Sequence, residues 1–173
     1  MYTRDYDKML QIFKYVDEQK PEVNLIVVDT VFYAVMNEFM DKAKIKSFEK
    51  FTDMGLNVWR LVESVKHLKR QDLTIAFFSH TEREEFQRVF SAPGKLVKEK
   101  IKPEGLCTVV LESQVDHTGD SPKFEFLTQH MGDGMAKAPE GMFPGRTIPN
   151  DMQYVLACMN AYYEGDDIPE IKK

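Results

Sequence analysis

Nowhere among the 173 residues does a glycine-rich loop end in Gly-Lys-Ser or Gly-Lys-Thr, the pattern whose backbone amides hold nucleotide phosphates. The chain by itself therefore carries no such cradle. Cysteine is scarce: Cys107 and Cys158 are the two present, at no metal-type spacing, and they read as reduced thiols rather than a disulfide. There is no apolar stretch of about 20 residues, and the N-terminus Met1-Tyr-Thr-Arg-Asp-Tyr-Asp-Lys8 is polar and mixed in charge. A cytoplasmic protein without membrane contact is the expectation, in the host cell if the chain is viral. Neither sign of charge dominates. With 23 basic and 28 acidic residues, the net charge of -5 supplies no global reason to coat nucleic acid, so any such contact must be local. The four histidines lie near no cysteine or carboxylate cluster of ligand spacing.

What is present suffices for one core. Hydrophobic residues make up 43% of the chain and aromatics 12%, enough for a single domain over residues 1–165, with 166–173 as a flexible tail. Between Asp5 and Gln19, Tyr6, Met9, Leu10, Phe13 and Val16 recur at helical steps. Leu25–Val28 is short and continuously apolar, which reads as a strand buried on both faces. A helix follows from Val31 to about Lys44. Ser47 can cap another helical stretch, and Leu56, Trp59, Val62, Val65 and Leu68 mark the inner side of a long helix running to Arg70. Leu73–Phe78 is a second buried strand ending at Ser79-His80.

Thr81-Glu-Arg-Glu84 has capping-box spacing and predicts a short helix or ordered turn. Leu96–Ile101 predicts a short helix, Cys107–Leu111 a third buried strand, and Phe124–Leu127 a half-exposed strand joined by a hairpin connection over Asp116–Pro122. From Met131 to Pro149 four glycines and three prolines among nineteen residues predict irregular backbone of functional or interfacial character. A last helix spans Asp151–Tyr163, with Asn150 as cap and Met152, Val155, Leu156, Met159 and Tyr162 inward. Strands alternating with helices in this way predict an α/β fold: a three-layer sandwich with a mainly parallel sheet plus an antiparallel hairpin. Function in such sheets gathers where strands end. Asp29 and His80 both fall there.

Each candidate residue carries two readings. A carboxylate ending a buried strand can accept hydrogen bonds from a magnesium-bound water, with the Thr30 hydroxyl orienting it; equally, Asp29 can cap the helix near Val31, and spacing alone favours the cap. His80 can contact a γ-phosphate or a switch residue, although a capping or simply hydrogen-bonded histidine is the commoner case. Lys95, Lys98, Lys100 and Lys102 form a basic stretch interrupted by Glu99; they make either a phosphate-contacting strip or a solvated helix face, the latter slightly favoured. Lys137 and Arg146, in the Gly/Pro-rich segment, can reach a neighbouring subunit's nucleotide in the manner of arginine fingers, provided that neighbour holds one.

In their order these segments resemble the RecA-like core of phage-encoded P-loop ATPases of the AAA or nucleotide-binding type, including single-strand-annealing recombination proteins. Leu25-Ile-Val-Val-Asp-Thr30 looks like their Walker B strand, and Ile75-Ala-Phe-Phe-Ser-His80 like the following strand with its polar sensor. Gly94 to Leu111 is similar to the glycine, short helix and strand after the family's mobile loop, and Ala136–Phe143 with Ile148–Asp151 to its closing segment. The resemblance implies a RecA-like sheet truncated at the N-terminus, since family members begin with a strand, a phosphate loop and a helix ahead of this point. In their sheet the phosphate-loop strand lies between the sensor strand and the counterpart of Cys107–Leu111. Its loss implies two open strand edges, repaired by re-pairing, by a partner chain or by homo-oligomerisation.

The implied function is binding without catalysis: a phage-derived relative that contacts single-stranded DNA or a protein in viral DNA metabolism. No cofactor is expected, and magnesium (at Asp29) with ATP enters only if the missing loop is supplied elsewhere. Two other readings stay open. One is an anti-CRISPR or other anti-defence inhibitor docking on a host protein; the other is a fragment of an active Mg-ATPase whose phosphate loop lies outside this chain.

Overall fold

The computed structural model describes residues 3–85, 87–93, 96–130 and 132–171, with only the backbone at Lys98. Two compact units emerge, Met1–Arg83 with Val89–Leu106, and Glu84–Arg88 with Cys107–Lys173. In the first, α1 (Tyr6–Gln19) starts where the Asp5 side chain accepts the Lys8 amide, an ordinary N-cap. Strand β1 (Leu25–Val28) leads to α2 (Val31–Asp41), then α3 (Glu49–Glu63), a 3-10 turn (Ser64–His67) and β2 (Thr74–Phe77). β1 and β2 pair in parallel, Leu25 opposite Thr74 through Val28 opposite Phe77. Ile26, Val28, Ile75 and Phe77 pack on Tyr6, Met9, Phe13, Ala34 and Leu61, so one face of the pair is covered by helices. Among the described residues this sheet has two strands.

The class is therefore mixed α/β, with sheets of two or three strands, and the parallel component is this single pair. β1 is not buried on both faces either, since Val27 is 44% exposed. Cys107–Leu111 forms no strand. Its one β-bridge among the described residues is the isolated pair Val110 and Lys137, and an apolar run without a continuous ladder does not make a strand. Thr81-Glu-Arg-Glu84 is also not helical: it is β3, paired with β4 (Gln87–Phe90). Its spacing suits both periods, and the decision falls to the base of the hairpin. There the Ser91 amide donates to the His80 carbonyl at 3.0 Å and its hydroxyl to Glu82 at 3.0 Å.

The long helix expected up to Arg70 stops at His67 for a long-range reason. The Asp17 carboxylate, 8% exposed, accepts the Lys69 amide on both oxygens (3.2 and 2.9 Å) and the Arg70 amide at 2.9 Å. Those donors are thereby taken away from any further helical turn. The Arg70 guanidinium in turn donates to the carbonyls of Lys20, Val23 and Pro21 at 3.0, 2.8 and 3.2 Å, and to both oxygens of Asp72. On α3 itself the buried stripe is Met54, Gly55, Val58, Leu61 and Val62, while Leu56 and Trp59, expected inside, are 42% and 41% exposed. Two apolar stripes competed on this helix. Gly55 decides between them, because a Cβ there would lie 2.6 Å from Leu96 Cδ2 and 2.8 Å from Ile101 Cδ1; the π-helical turn Leu96–Ile101 needs the bare backbone. A four-residue helix α4 (Pro103–Leu106) follows it.

The second unit is an antiparallel sheet, β5 (Glu112–Asp116), β6 (Lys123–Leu127) and β7 (Thr147–Pro149), with Ser113 opposite Phe126 and Phe126 opposite Ile148. α5 (Met152–Glu164) contributes Val155 to the core with Phe126 and Ile148. Its cap is Asp151, whose carboxylate accepts the Gln153 amide at 2.8 Å, whereas Asn150 bonds the Ser113 hydroxyl instead. Val155, Cys158 and Ala161 form the buried side, and Tyr162 faces out. Gly165 ends the helix at φ 77°, a left-handed position that suits glycine. The Gly/Pro-rich segment is irregular up to β7, and the Glu112 carboxylate ties it down by accepting the Met135 amide beside Gly134. Among the described residues no helix is long and apolar enough to cross a membrane.

The Asp17 contacts give a pH dependence with a defined sign. The Lys69 amide, reinforced by the Arg70 amide and opposed by burial, holds the carboxyl below its ordinary value. A folded value lower than the unfolded one, about 3.9, contributes stability above that pH, and this is lost as the pH falls through the folded value. Asp17→Asn is expected to lower the thermal unfolding midpoint by about 5 °C at pH 7. Scanning calorimetry across pH 2 to 7 should show the gap between variant and parent closing toward the acid end; a constant gap would refute the assignment.

Candidate functional site

Both parallel strands deliver their chain ends to one edge. The Phe78 amide donates to the Val28 carbonyl at 2.9 Å and the Val31 amide to the Phe78 carbonyl at 2.9 Å, which sets Asp29-Thr30 beside Ser79-His80. Asp29 is exposed, and its carboxylate makes no hydrogen bond or ion pair among the described residues. It does not cap α2, contrary to the reading that spacing favours. Thr30 occupies the cap position, φ -122° and ψ 148°, yet its side chain makes no capping bond. Instead Thr30 Oγ1 is closed to solvent and has no hydrogen-bond partner among the described residues. The Asp29–Thr30 peptide bond is cis.

His80 is exposed but not loose. Its ring stands edge-on to Phe32 at 5.1 Å and to Tyr33 at 5.8 Å between centroids, both on the first turn of α2, and its carbonyl accepts the Ser91 amide at 3.0 Å. It caps no helix. The edge thus combines a free carboxylate, an imidazole steadied by two aromatic rings, and a buried hydroxyl. The carboxylate can accept from a metal-bound water or a donor of a partner, and the imidazole can donate or accept. As a metal site Asp29 offers one carboxylate; among the described residues no group of three or more His, Cys, Asp or Glu side chains comes together for a metal ion.

The cations predicted as contacts divide between the two units. Leu96, Val97 and Ile101 turn inward, with Val97 1% exposed and Leu96 and Ile101 against Gly55. That leaves Lys100 and Lys102 outward and exposed, neither in an ion pair among the described residues. Lys102 takes φ 47°, and its amide closes the π-helical turn on the Val97 carbonyl at 3.0 Å. Lys95 and the side chain of Lys98 lie outside the described residues. In the second unit Lys137 is half-buried and held by its backbone bridge to Val110. Arg146 is exposed and lines a cleft of about 550 Å³ with Glu140 and Phe143, over a floor fixed by the Thr128 hydroxyl donating to the Gly145 carbonyl at 2.9 Å.

Sequence reading missed the aromatic bracket around His80. Phe32 and Tyr33 sit two and three residues past Thr30, but their approach to His80 crosses about fifty residues of chain. Only the parallel register brings them together. No family model, curated protein or solved structure matches this chain.

An unpartnered buried hydroxyl costs free energy that an apolar isostere does not. Thr30→Val, a β-branched residue suited to the same extended backbone, is therefore expected to leave stability unchanged or raise it by about 1 kcal/mol. Urea titration reads this directly, and a loss of about 1 kcal/mol or more would mean that the hydroxyl has a partner.

Proposed function

We propose that the chain is a binding protein built on a RecA-like core without its phosphate loop, a phage-derived, non-catalytic relative of P-loop ATPases whose partner is single-stranded DNA. The observation that carries this reading is the parallel register of β1 and β2, which brings a free carboxylate and a bracketed imidazole to one strand edge with no Gly-Lys-Ser/Thr loop anywhere in the chain. Carboxylate and imidazole alone bind triphosphate poorly, because the amides and lysine of the loop supply most of the contacts to the β- and γ-phosphates. In this reading the parallel pair is the remnant of a larger, mainly parallel sheet. The outer edge of β2 then has backbone donors and acceptors to offer a partner strand or a second copy.

Support for DNA as partner comes from the π-helical turn. Its apolar side chains are consumed by the core, and Lys100 and Lys102 are turned to solvent with no ion pair among the described residues. Phosphates can then replace water around them, releasing counterions.

Two experiments test the reading. In an electrophoretic shift assay at low salt, the parent should retard single-stranded DNA, with log K falling against log salt at a slope of about -0.7 per phosphate engaged. Changing Lys95, Lys98, Lys100 and Lys102 together to Glu should abolish the shift; a parent that gives none removes DNA as the partner. Calorimetry with Mg-ATP should show no binding by the chain alone. Saturable binding that disappears in Asp29→Ala would overturn the non-catalytic reading in favour of an ATPase fragment.

A further inference from the structure

α3 carries a second apolar stripe besides the one that enters the core. Phe48, whose backbone already has helical angles (φ -70°, ψ -18°), is in phase with Thr52, Leu56 and Trp59, at steps of four, four and three residues that return to one side of a helix. All four are exposed. Phe48 is 87% exposed, the most open large apolar side chain among the described residues, and the stripe from there to Trp59 runs about 16 Å at the helical rise. Ile45, in the connection just before Phe48, is exposed as well. The core takes the other side of the helix through Met54, Val58 and Leu61. Single apolar residues on a surface are ordinary, whereas a row of them marks an interaction face.

The charges bordering the stripe select its occupant. Asp53 and Glu63 are held by Lys42 and Lys66, at 3.4 and 2.8 Å. Lys44, Lys46 and Arg60 are exposed cations and Glu49 an exposed acid, none of them in an ion pair among the described residues, so this border is net positive although the chain as a whole stands at -5. An anionic surface is attracted to it. Nucleic acid would satisfy the lysines, but its bases stack on flat aromatic rings and leave Ile45 and Leu56 unused. A bilayer of anionic lipid takes aliphatic and aromatic side chains alike into its acyl boundary, and offers phosphates to the cations beside them. Tryptophan is at home at the headgroup level of such a surface.

We propose that α3 docks on an anionic phospholipid surface, with Phe48, Leu56 and Trp59 entering the acyl boundary while Lys44, Lys46 and Arg60 meet lipid phosphates. Contact of this kind lies on the membrane and needs no spanning helix, so it departs from the expectation of a protein without membrane contact, which rested on the lack of a long apolar stretch. The stripe is separate from the strand edge and from the lysines assigned to DNA, and its failure leaves that reading untouched.

Trp59 is the single tryptophan of the chain and reports the contact itself. Titrating the full chain with vesicles of equal parts phosphatidylglycerol and phosphatidylcholine, at pH 7 and about 150 mM NaCl to screen diffuse attraction, should shift its emission saturably to the blue, with the protein sedimenting with the lipid. Phe48→Ser, outside the core, should weaken partition about tenfold or more with no fall in the unfolding midpoint. The pair Lys44→Glu and Lys46→Glu should weaken it about tenfold or more, and pure phosphatidylcholine should bind the parent more weakly than the mixed vesicles do. Unshifted emission without sedimentation at lipid up to about 1 mM would overturn the proposal. So would equal partition of Phe48→Ser and the parent. A blue shift that single-stranded DNA produces where vesicles give none would overturn it in favour of nucleic acid, and one that raised protein concentration alone produces, in favour of a second copy of the chain.

Discussion

Asp17 and Arg70 cross-link two stretches of backbone that the chain separates by some fifty residues, and the geometry of the first unit follows from that link. Asp17 takes the amides of Lys69 and Arg70, which ends the helical run, while Arg70 takes the carbonyls of Lys20, Pro21 and Val23, which organises the turn before β1. The two segments that enter β1 and β2 are thus held side by side before either strand begins. The Thr74 amide then meets the Asn24 carbonyl at 2.9 Å, and the parallel register runs from there. Parallel strands cannot be joined by a tight turn and rely on such distant fixation. A slip of one residue would turn Ile26, Val28, Ile75 and Phe77 away from the helices.

From the same register follows the chemistry at the strand ends. Asp29 and His80 share an edge because Val28 pairs with Phe77, and His80 is steadied because the first turn of α2 arrives there with Phe32 and Tyr33. Asp29, Thr30, Ser79 and His80, with Phe32 and Tyr33 beside them, supply a carboxylate, an imidazole and aromatic surface, and none of the six is a lysine or arginine. That composition suits recognition of a donor-bearing group better than the neutralisation of a triphosphate, whose developing charge demands lysine, amides or metal. The lysines of the π-helical turn occupy a different part of the unit, set outward by the demand of Leu96, Val97 and Ile101 for the space above Gly55.

Much of this was readable in the chain and some of it was not. α1, β1, α2, β2, β6 and α5 were legible because each carries a strong local pattern. Cys107–Leu111 misled because apolar, β-branched character announces a wish to be buried, whereas a strand also needs a ladder to bond; among the described residues the run forms one isolated bridge, Val110 to Lys137. Thr81–Glu84 misled because a four-residue pattern is compatible with a cap and with a strand, and Ser91 settles it from outside. The α3 face misled because Leu56 and Trp59 are bulkier than Gly55, yet the absence of a side chain at Gly55 is what admits the π-helical turn. Asp29 as a cap misled because capping depends on backbone angles, which the letter does not carry.

By itself, the amino-acid sequence determined the helices α1, α2 and α5 and the strands β1, β2 and β6, that a carboxylate and a histidine follow β1 and β2, and that no phosphate-binding loop is present in the chain. These are local properties, written in periods of two and 3.6 and in residue types at their ends. Tertiary structure alone decided that among the described residues the parallel sheet has two strands, that Phe32 and Tyr33 bracket His80, and that Tyr6 and Glu38 line one cleft. Each of those depends on which distant backbone or side chain fills a given space. Such partnerships are set by closing loops of about thirty to fifty residues, an entropic cost that no local pattern reveals.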